Sequence, residues 1–338
     1  MLAPILLTGA TGFLGRAIVS QAKTDSISLR TTGRKNLAVP LPNFKPMDLA
    51  NERLTDTQLD ELVQGAHCII HAAGLAHQFD ATRDDRVRFQ RVNVDAPVRL
   101  AEAAARQGVK RFVHISSIKV YNPHSPQPID EQTRLEPTGP YAESKADAET
   151  KLLAVAEKTG LELVMLRMSV IYGEEDGGNV ARLIRAIDSG RFVMIGRGEN
   201  LKSLIYRDDA ARACIAAASR EALPSAMRAY NINADPVPMR EVVDCIYRSL
   251  GRRKPRIHLP AACVQFPMAT LARLPLPIVS SKAEKLSETL SKWLIDDAYD
   301  GRRFRQDFDF QPQVSLATGI EREVAWYRNR QATQLRAA

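Results

Sequence analysis

Short apolar runs alternate with longer amphipathic segments through the first half of the chain. The short runs are rich in branched aliphatic residues and end at glycine or polar residues, and we predict strands at Ile5–Thr8, Ile27–Thr31, Cys68–Ala72, Arg111–Ser116 and Leu161–Arg167. The longer segments repeat apolar residues at helical spacing, which predicts helices at Leu14–Lys23, Val94–Gln107 and Tyr141–Lys158. This alternation predicts an α/β fold in which helices cover both faces of a parallel sheet.

The second half of the chain is less regular. A turn-rich segment, Gly173–Gly178, is followed by shorter helical and strand-like runs, with proline-rich breaks near 236–238 and 255–277. We therefore predict a doubly wound domain of the Rossmann type at 1–173 and a smaller mixed α/β lobe at 174–338, with a chain that crosses back between them. In such sheets a ligand binds beyond the carboxyl ends of the strands.

Composition and charge narrow the class of protein. Of the 338 residues, 45% are hydrophobic and 25% are charged, which is ordinary for a soluble globular protein. The formal net charge of +8 favours an anionic ligand such as a nucleotide; with no long basic block and only 6% aromatic residues, we expect no nucleic-acid partner. The apolar stretch Leu259–Ser280 contains four prolines and Arg273, so we interpret it as loop and buried helix and expect no integral membrane segment.

The cysteines are scattered and form no Cys-x-x-Cys pair, which argues against a disulfide framework and against a zinc site. Their use is typical of a reducing compartment, and the chain enters a predicted strand at once without a basic leader, so we expect a cytoplasmic protein. The four residues are Cys68, Cys214, Cys245 and Cys263.

The first predicted strand leads into the sequence TGATGFLG, Thr8–Gly15, which carries three glycines at fixed spacing. In a strand–turn–helix context the first glycine permits the turn, the second lets the backbone approach a pyrophosphate, and the third lets the helix pack on the strand. The free N–H groups and the dipole of the helix then favour the phosphate charge. We predict a dinucleotide site that uses Gly9, Thr11, Gly12, Phe13, Leu14 and Gly15.

The position that selects between NAD and NADP carries no acid. An acidic residue about 20 positions after the glycine loop would bind the ribose 2′-hydroxyl of NAD. Here the corresponding stretch is Thr32-Gly33-Arg34-Lys35. A guanidinium binds a 2′-phosphate in a bidentate manner, whereas a carboxylate repels it, so Arg34 favours NADP(H) over NAD(H).

Two elements supply candidate catalytic groups. In YAESK, Tyr141 and Lys145 are four positions apart near the start of a predicted helix, which places both side chains on one face. An ammonium beside a phenol favours the phenolate, so we expect a lowered tyrosine pKa and proton exchange with a sugar oxygen. The predicted strand RFVHISS delivers Ser116 and Ser117 to the ligand side of the sheet, where a hydroxyl binds the reacting oxygen.

Together these motifs resemble the extended short-chain dehydrogenases/reductases, in the branch that acts on nucleotide sugars. The resemblance rests on Thr8–Gly15, on HAAG at His71–Gly74, on the strand-end Ser117 and on Tyr141-x-x-x-Lys145, and it continues through LRMSVIYG and LKSLIYRDD. It implies a catalytic triad of Ser117, Tyr141 and Lys145, in which the last two also contact the cofactor. It further implies cofactor contacts at Asp48, Leu49, Ala72, Ala73, Gly74 and Asn93, substrate contacts at Ser116, Lys119 and Lys202, and a homodimer formed through two helices.

Departures from the family pattern restrict the reaction. Dehydratases of this branch follow the catalytic serine or threonine with Asp-Glu, whereas Ile118-Lys119 stands here, so 4,6-dehydration is not expected. Val170 stands where 4-epimerases carry an asparagine, and Lys202 stands where an arginine often binds the diphosphate. His71 precedes small residues on a buried strand, and we interpret it as structural.

The sequence leaves several functions open. The leading hypothesis is an NAD(P)(H)-dependent oxidoreductase acting at carbon 4 of a nucleotide-diphosphate sugar, in particular a 4-keto sugar reductase of surface-polysaccharide synthesis. The same residues would serve a UDP-sugar 4-epimerase, which needs no net redox change. A non-catalytic NADP(H)-sensing regulator and a dehydrogenase of a small apolar alcohol are the alternatives from other classes.

Overall fold

A computed structural model describes residues 4–34, 41–76, 83–223, 228–255, 258–259 and 295–337. The strands are β1 Ile5–Thr8, β2 Leu29–Gly33, β3 Phe44–Pro46, β4 Cys68–His71, β5 Arg111–Ser117, β6 Glu162–Met168, β7 Val170–Tyr172, β8 Met194–Ile195, β9 Leu201–Lys202, β10 Leu204–Tyr206, β11 Ala229–Ile232, β12 Val237–Pro238 and β13 His258–Leu259. The α-helices are α1 Phe13–Thr24, α2 Asp56–Val63, α3 Arg83–Phe89, α4 Ala96–Arg106, α5 Pro140–Thr159, α6 Asn179–Asp188, α7 Arg207–Ser219, α8 Met239–Ser249, α9 Arg302–Phe308 and α10 Leu316–Ala337.

Seven parallel strands form the central sheet, in the order β3-β2-β1-β4-β5-β6-β11. The chain winds outward from β1 in one direction through β2 and β3, and in the other direction through β4, β5 and β6. The strand order therefore reverses between β1 and β4, and a crevice opens there at the carboxyl edge. This topology confirms the predicted doubly wound α/β fold.

The central strands are apolar on both faces because helices cover both faces of the sheet. Alternate residues of each strand enter different cores: Leu7 and Ile70 pack with α1 and α7, whereas Leu6 and Ile69 pack with α2, α4 and α5. Burial of the whole strand explains why β1 and β4 read as continuous apolar runs rather than alternating ones.

The sequence prediction omitted three elements in the first half, namely β3, α2 and α3. Strand β3 has three residues, of which two are exposed, so it carries no apolar run. Helix α2 is eight residues long and is defined by its capping box, in which Thr55 and Gln58 each bond the other's backbone N–H. Strand β2 begins at Leu29, two residues later than predicted, after a turn with Ser26 at φ 56°.

The second half of the chain returns to the sheet. Strand β11 and helix α7 both follow residue 173 in the sequence. Strand β11 pairs with β6 in the central sheet, and α7 packs against α1. A separate apolar cluster is built from α6, α8, α10 and the β7/β10 pair. Segments on both sides of residue 173 therefore contribute to the sheet layer, and the 173/174 boundary stays a prediction.

Successive residues of the turn after β7 each bind a different element. Gly173 N–H donates to the buried carboxylate of Glu323 on α10 (3.0 Å), and Glu174 accepts from Tyr206 and Arg207. Glu175, at φ 70°, forms an ion pair with Arg16 of α1. The turn thus joins the glycine loop, the end of β10 and the C-terminal helix.

Within the described ranges, no helix is both long and apolar enough to cross a bilayer. Residues 260–280 of the predicted loop-and-helix stretch, together with Cys263, lie outside the described residues. Cys68, Cys214 and Cys245 are buried free thiols.

Arg111, the first residue of β5, joins the sheet to α7. Its guanidinium is buried and donates to Glu162 Oε2 at 2.6 and 2.8 Å, and to the carbonyls of Ala217 (3.0 Å) and Arg220 (2.5 Å) at the end of α7. The cation satisfies carbonyls that the helix end leaves without an internal partner.

We predict that Arg111→Ala lowers the free energy of unfolding by about 3 kcal/mol, because it leaves a carboxylate and two helix carbonyls without their buried partner. Urea unfolding followed by circular dichroism measures the change. Arg106→Ala, which removes a partly exposed pair with Asp60, is the matched control and should cost below about 1 kcal/mol. Equal losses in the two variants would contradict the prediction.

Candidate active site

The glycine loop lies between β1 and α1, as predicted, and contacts the loop that follows β4. Gly9 has φ 70°, and a Cβ there would lie 2.5 Å from Ala73 N and 2.7 Å from Ala72 O. A side chain at Gly15 would overlap the carbonyl of Gly9 and come within 2.8 Å of Ala10 Cα. Both positions therefore require glycine, the first for its backbone angle and its close neighbour, the second for helix packing.

The loop leaves a cradle that suits a pyrophosphate. Gly12 N–H closes the turn by donating to Gly9 O (2.9 Å), and Gly12 caps α1 without any side-chain hydrogen bond to the first turn. The amides of Phe13 and Leu14 begin the helix at this point, so donors and the positive end of the helix dipole face the crevice. The residues present fit the predicted dinucleotide.

Arg16 fixes the same loop from outside, and the sequence analysis missed it. Its Nη1 donates to Thr11 O (2.6 Å) while Nη2 pairs with Glu175. The arginine directly after the third glycine is visible in the sequence. Its partner Glu175 lies 159 positions away, so sequence spacing could not show the contact. Arg16 therefore holds the carbonyl side of the glycine loop against the turn after β7.

The end of β2 lies beside the glycine loop. A Cβ at Gly33 would be 3.2 Å from Thr11 Oγ1, and Arg34, the next residue, is exposed. After β3, Asp48 is exposed and accepts from Ala50 N–H (3.1 Å), whereas Leu49 is buried. Lys35, the second cation of the pattern, lies outside the described residues.

Asn93 organises the loop after β4. Leu75 N–H donates to its Oδ1 (2.8 Å), and its Nδ2 donates to Leu75 O (3.1 Å) and Ser144 Oγ (3.0 Å). The residue lies in a π-helical segment, Gln90–Asp95, that precedes α4. Such segments are frequent at functional sites, since they redirect one side chain out of the helical register. A Cβ at the exposed Gly74 would lie 3.5 Å from Asn93 Oδ1 and 3.6 Å from Lys145 Nζ.

His71 supports this loop from within the sheet. Its Nδ1 bonds Thr8 Oγ1 (2.9 Å), which also accepts from Ala73 N–H (3.3 Å). Burial lowers the pKa of His71 to about 3, with a smaller effect of the Lys145 charge, so the ring is neutral. This placement gives His71 a structural role.

The three predicted catalytic residues lie at the carboxyl end of β5 and on the first turns of α5. Ser117 ends β5 and hydrogen-bonds the phenol of Tyr141, and its hydroxyl also accepts from Lys119 N–H (3.2 Å). Lys145 is buried one turn after Tyr141 and donates to Ile115 O (2.8 Å). An ammonium has three donors, so this bond leaves it others for a ligand.

The expected lowering of the Tyr141 pKa is wrong for this structure. Burial raises the pKa of the phenol above its ordinary value, and the hydrogen bond with Ser117 lowers it by less. Burial also lowers the pKa of Lys145 to about 8, against the opposing charge of Glu149. For both groups, removal from water changes the pKa by more than the Tyr141–Lys145 pairing suggested by the four-residue spacing.

Ser116 faces away from Ser117. Successive residues of a strand point to opposite faces, and the Ser116 hydroxyl donates to the buried Glu149 carboxylate at 2.5 Å. Since that hydrogen bond already engages the hydroxyl within the protein, we leave Ser116 out of the proposed substrate site.

Lys119 and Lys202, the predicted substrate contacts, lie near enough for their charges to interact. Lys202, on β9, is partly buried and donates to Ile295 O (3.0 Å). Burial lowers the pKa of Lys202, the charges of Asp297 and Asp296 oppose that effect, and the charge of the exposed Lys119 adds to it. Lys202 therefore has both acidic and basic neighbours.

We predict that Gly9→Ala abolishes NAD(P)H binding, because the new methyl group would lie against Ala72–Ala73 and force the two loops apart. Gly65→Ala is the matched control: Gly65 has φ 71° but open space around it, so it costs only the strain of about 1 kcal/mol. Nicotinamide fluorescence measures binding in both variants. Retained binding in Gly9→Ala, or equal loss in both, would show that the contact is not required.

Comparison with known proteins gives matches over most of the chain. A 4-epimerase of N-acetyl-α-D-glucosaminyl-diphospho-ditrans,octacis-undecaprenol from Escherichia coli is 27% identical over 332 residues, covering 95% of this chain and 94% of its own. A UDP-glucose 4-epimerase from Vibrio cholerae is 32% identical over 210 residues, covering 60% of this chain and 62% of its own. The crystal structure of UDP-glucuronic acid 4-epimerase from Bacillus cereus in complex with NAD covers 96% of this chain and 99% of its own, with a TM-score of 0.72 at 19% identity.

The family comparison covers the glycine loop, the candidate catalytic residues and the sheet through β11. The model of the NAD dependent epimerase/dehydratase family matches residues 5–233. The chain therefore belongs to the NAD-dependent epimerase/dehydratase family, the extended short-chain dehydrogenases/reductases, and is an NAD(P)-dependent enzyme.

Proposed function

We propose that the protein is an NADP(H)-dependent reductase of a nucleotide-linked 4-keto sugar. The observation that carries this proposal is Arg34 directly after Gly33 at the end of β2, where no carboxylate stands to bind a ribose 2′-hydroxyl. Tyr141, which hydrogen-bonds Ser117 at the carboxyl end of β5, supplies a phenol as proton donor. Reduction of a ketone needs such a donor at the oxygen.

The glycine loop, Arg34 and the loop after β4 would hold the cofactor, which supplies the hydride when bound. Arg34 follows Gly33 beside Thr11, and the strand end carries no carboxylate to bind a ribose 2′-hydroxyl. This supports NADP(H) over NAD(H), and a reductase consumes NADPH in net turnover. Ala72, Ala73, Asp48 and Leu49 remain proposed cofactor contacts.

The triad residues take separate roles at carbon 4. Ser117 holds the carbonyl oxygen by a hydrogen bond, and Tyr141 donates its proton to that oxygen as carbon 4 is reduced, so the ketone becomes a hydroxyl. Lys145 places a positive charge near the phenol and so stabilises the phenolate that forms. The protein contributes to this step by positioning the reacting groups and by stabilising the charge that develops on Tyr141.

Lys119 and Lys202 support an anionic substrate. A nucleotide diphosphate carries the charge that this pair of cations favours, and an apolar alcohol does not. Ile118 stands beside the triad where a dehydratase has an acid, so the residues that water elimination requires are missing. These features together point to redox chemistry on an intact sugar.

A UDP-sugar 4-epimerase is the second candidate, favoured by the names of the similar proteins described above. Epimerisation begins by removing a proton from the carbon-4 hydroxyl, which needs a phenolate at Tyr141. Val170 stands where the 4-epimerases carry an asparagine, and this departure favours the reductase. The regulator hypothesis has no support among the relatives.

We expect purified protein to oxidise NADPH in the presence of a UDP-4-keto sugar, and Tyr141→Phe to abolish this activity because the proton donor is lost. Nicotinamide absorbance measures turnover; a non-sugar ketone serves as the substrate control and Tyr247→Phe, on α8, as the tyrosine control. Interconversion of UDP-sugars without added cofactor, and no NADPH oxidation with a UDP-4-keto sugar, would favour the epimerase instead. Full activity in Tyr141→Phe would contradict the proposed mechanism for either reaction.

We expect Arg34→Ser to lower kcat/KM for NADPH about tenfold and to leave that for NADH nearly unchanged, because only the 2′-phosphate loses a charged partner. Lys23→Ser, at the other end of α1, removes the same charge away from the site. Steady-state kinetics measure kcat/KM for NADPH and for NADH in both variants. Equal losses with both cofactors would reject a 2′-phosphate contact.

A further inference from the structure

A chain of buried polar groups begins behind the catalytic residues. Glu149 lies on α5 four residues after Lys145, so the two side chains share a face with Tyr141. Its carboxylate accepts from Ser116 Oγ at 2.5 Å and from the guanidinium of Arg167 at 2.6 and 3.0 Å. Glu149 is 3% exposed and Arg167 is 5% exposed, which makes this a buried ion pair.

The chain continues into the second half of the molecule. Arg167 Nη1 donates to the phenol oxygen of Tyr121 (2.6 Å), and that hydroxyl donates to Asn231 Oδ1 (2.9 Å). Asn231 Nδ2 then donates to the carbonyls of Ile129 (3.2 Å) and Asp300 (3.3 Å). The carboxylate behind the active site is thus fixed to β6, to the segment after β5 and to the residues that precede α9.

We propose that Glu149 is a positioning residue for the catalytic triad, which keeps Lys145 charged in a desolvated site and holds the end of β5 through Ser116. The proposal rests on the proposed triad. A buried ammonium loses hydration, and a fixed carboxylate one turn away compensates it. Ser116 precedes Ser117, so the hydrogen bond from Ser116 to Glu149 also sets the register of the strand end against α5.

Glu149 is the group around Lys145 whose charge stabilises the ammonium. The other titratable or charged side chains on the elements around the ammonium are Tyr141 on α5, His71 on β4, His114 on β5 and Arg167 on β6, whose guanidinium is ion-paired to Glu149. Burial lowers the pKa of both histidines far below neutrality, and the phenol is protonated at neutral pH. Within the described residues, Glu149 is therefore the carboxylate that opposes the desolvation of Lys145.

The test measures the pKa of Lys145 directly, by NMR of protein labelled with ¹³C at the lysine side chains, with Lys145→Met assigning the signal. We expect Glu149→Gln to lower this pKa by about one unit, and Glu149→Asp to restore most of it, because only the first removes the charge. The alkaline limb of the pH profile of kcat moves to lower pH by the same amount. Measured at a pH well below the Lys145 pKa, where the ammonium stays charged in both proteins, the KM for the cofactor should change by less than about threefold, since Glu149 hydrogen-bonds Ser116 and Arg167 and neither is a predicted cofactor contact.

Glu162→Gln is the matched control. Glu162 forms a similar pair with the buried Arg111, but at the opposite end of β5 and β6, so its loss should leave the Lys145 pKa unchanged. If Glu149→Gln does not fold, the Lys145 pKa is compared between Arg167→Met and Glu149→Gln/Arg167→Met, which differ only in the carboxylate. An unchanged Lys145 pKa in a folded Glu149 variant, or an equal shift in Glu162→Gln, would overturn the proposal.

The outcome separates this proposal from the proposed function. A shifted Lys145 pKa together with an active Tyr141→Phe variant would remove the triad mechanism and leave the electrostatic role of Glu149. An unshifted pKa with an inactive Tyr141→Phe variant would remove only the role of Glu149.

Discussion

The close approach of two backbone segments at Gly9 is the constraint on which the site depends. The loop after β1 turns against the peptide of Ala72 and Ala73, so no side chain fits at position 9. That contact defines the edge of the crevice between the loops after β1 and β4, and α1 begins beside it. Thr8 and His71 then tie the same peptide to the sheet, and Asn93 ties the following residues to α5. The cofactor cradle and the catalytic helix are parts of one connected arrangement.

Burial governs the chemistry of the groups gathered there. The expectation from spacing was that Lys145 would promote ionisation of Tyr141. In the folded protein, removal from water acts on both groups, raising the pKa of the phenol and lowering that of the ammonium. The sequence could not reveal this, because desolvation depends on the cover that distant elements supply.

The fold and the cofactor loop were predictable because local patterns determine them. The apolar runs of β1 and β4, and the glycine spacing at Gly9–Gly15, carry their structural requirement in adjacent residues. The contacts that join Ser116 to Glu149, Arg16 to Glu175 and Arg111 to Arg220 were not predictable, because the partners lie from 33 to 159 positions apart along the chain. Strand β3 and helix α2 were missed because they are short: β3 has no apolar run, and α2, although it buries Leu59, Leu62 and Val63, has only eight residues.

The position of β11 at the edge of the central sheet restricts how the substrate preference of this enzyme can change. Because β11 closes the edge beside β6, and α7 covers α1, the half that holds the cofactor is completed by residues that follow the turn at Gly173–Gly178. The two halves are therefore not interchangeable modules, and grafting the second half of a relative would replace part of the first half's own core. New substrate preference in such an architecture would come from changes in loops and single side chains, such as the proposed substrate contacts Lys119 and Lys202, which leave the interlocked sheet intact.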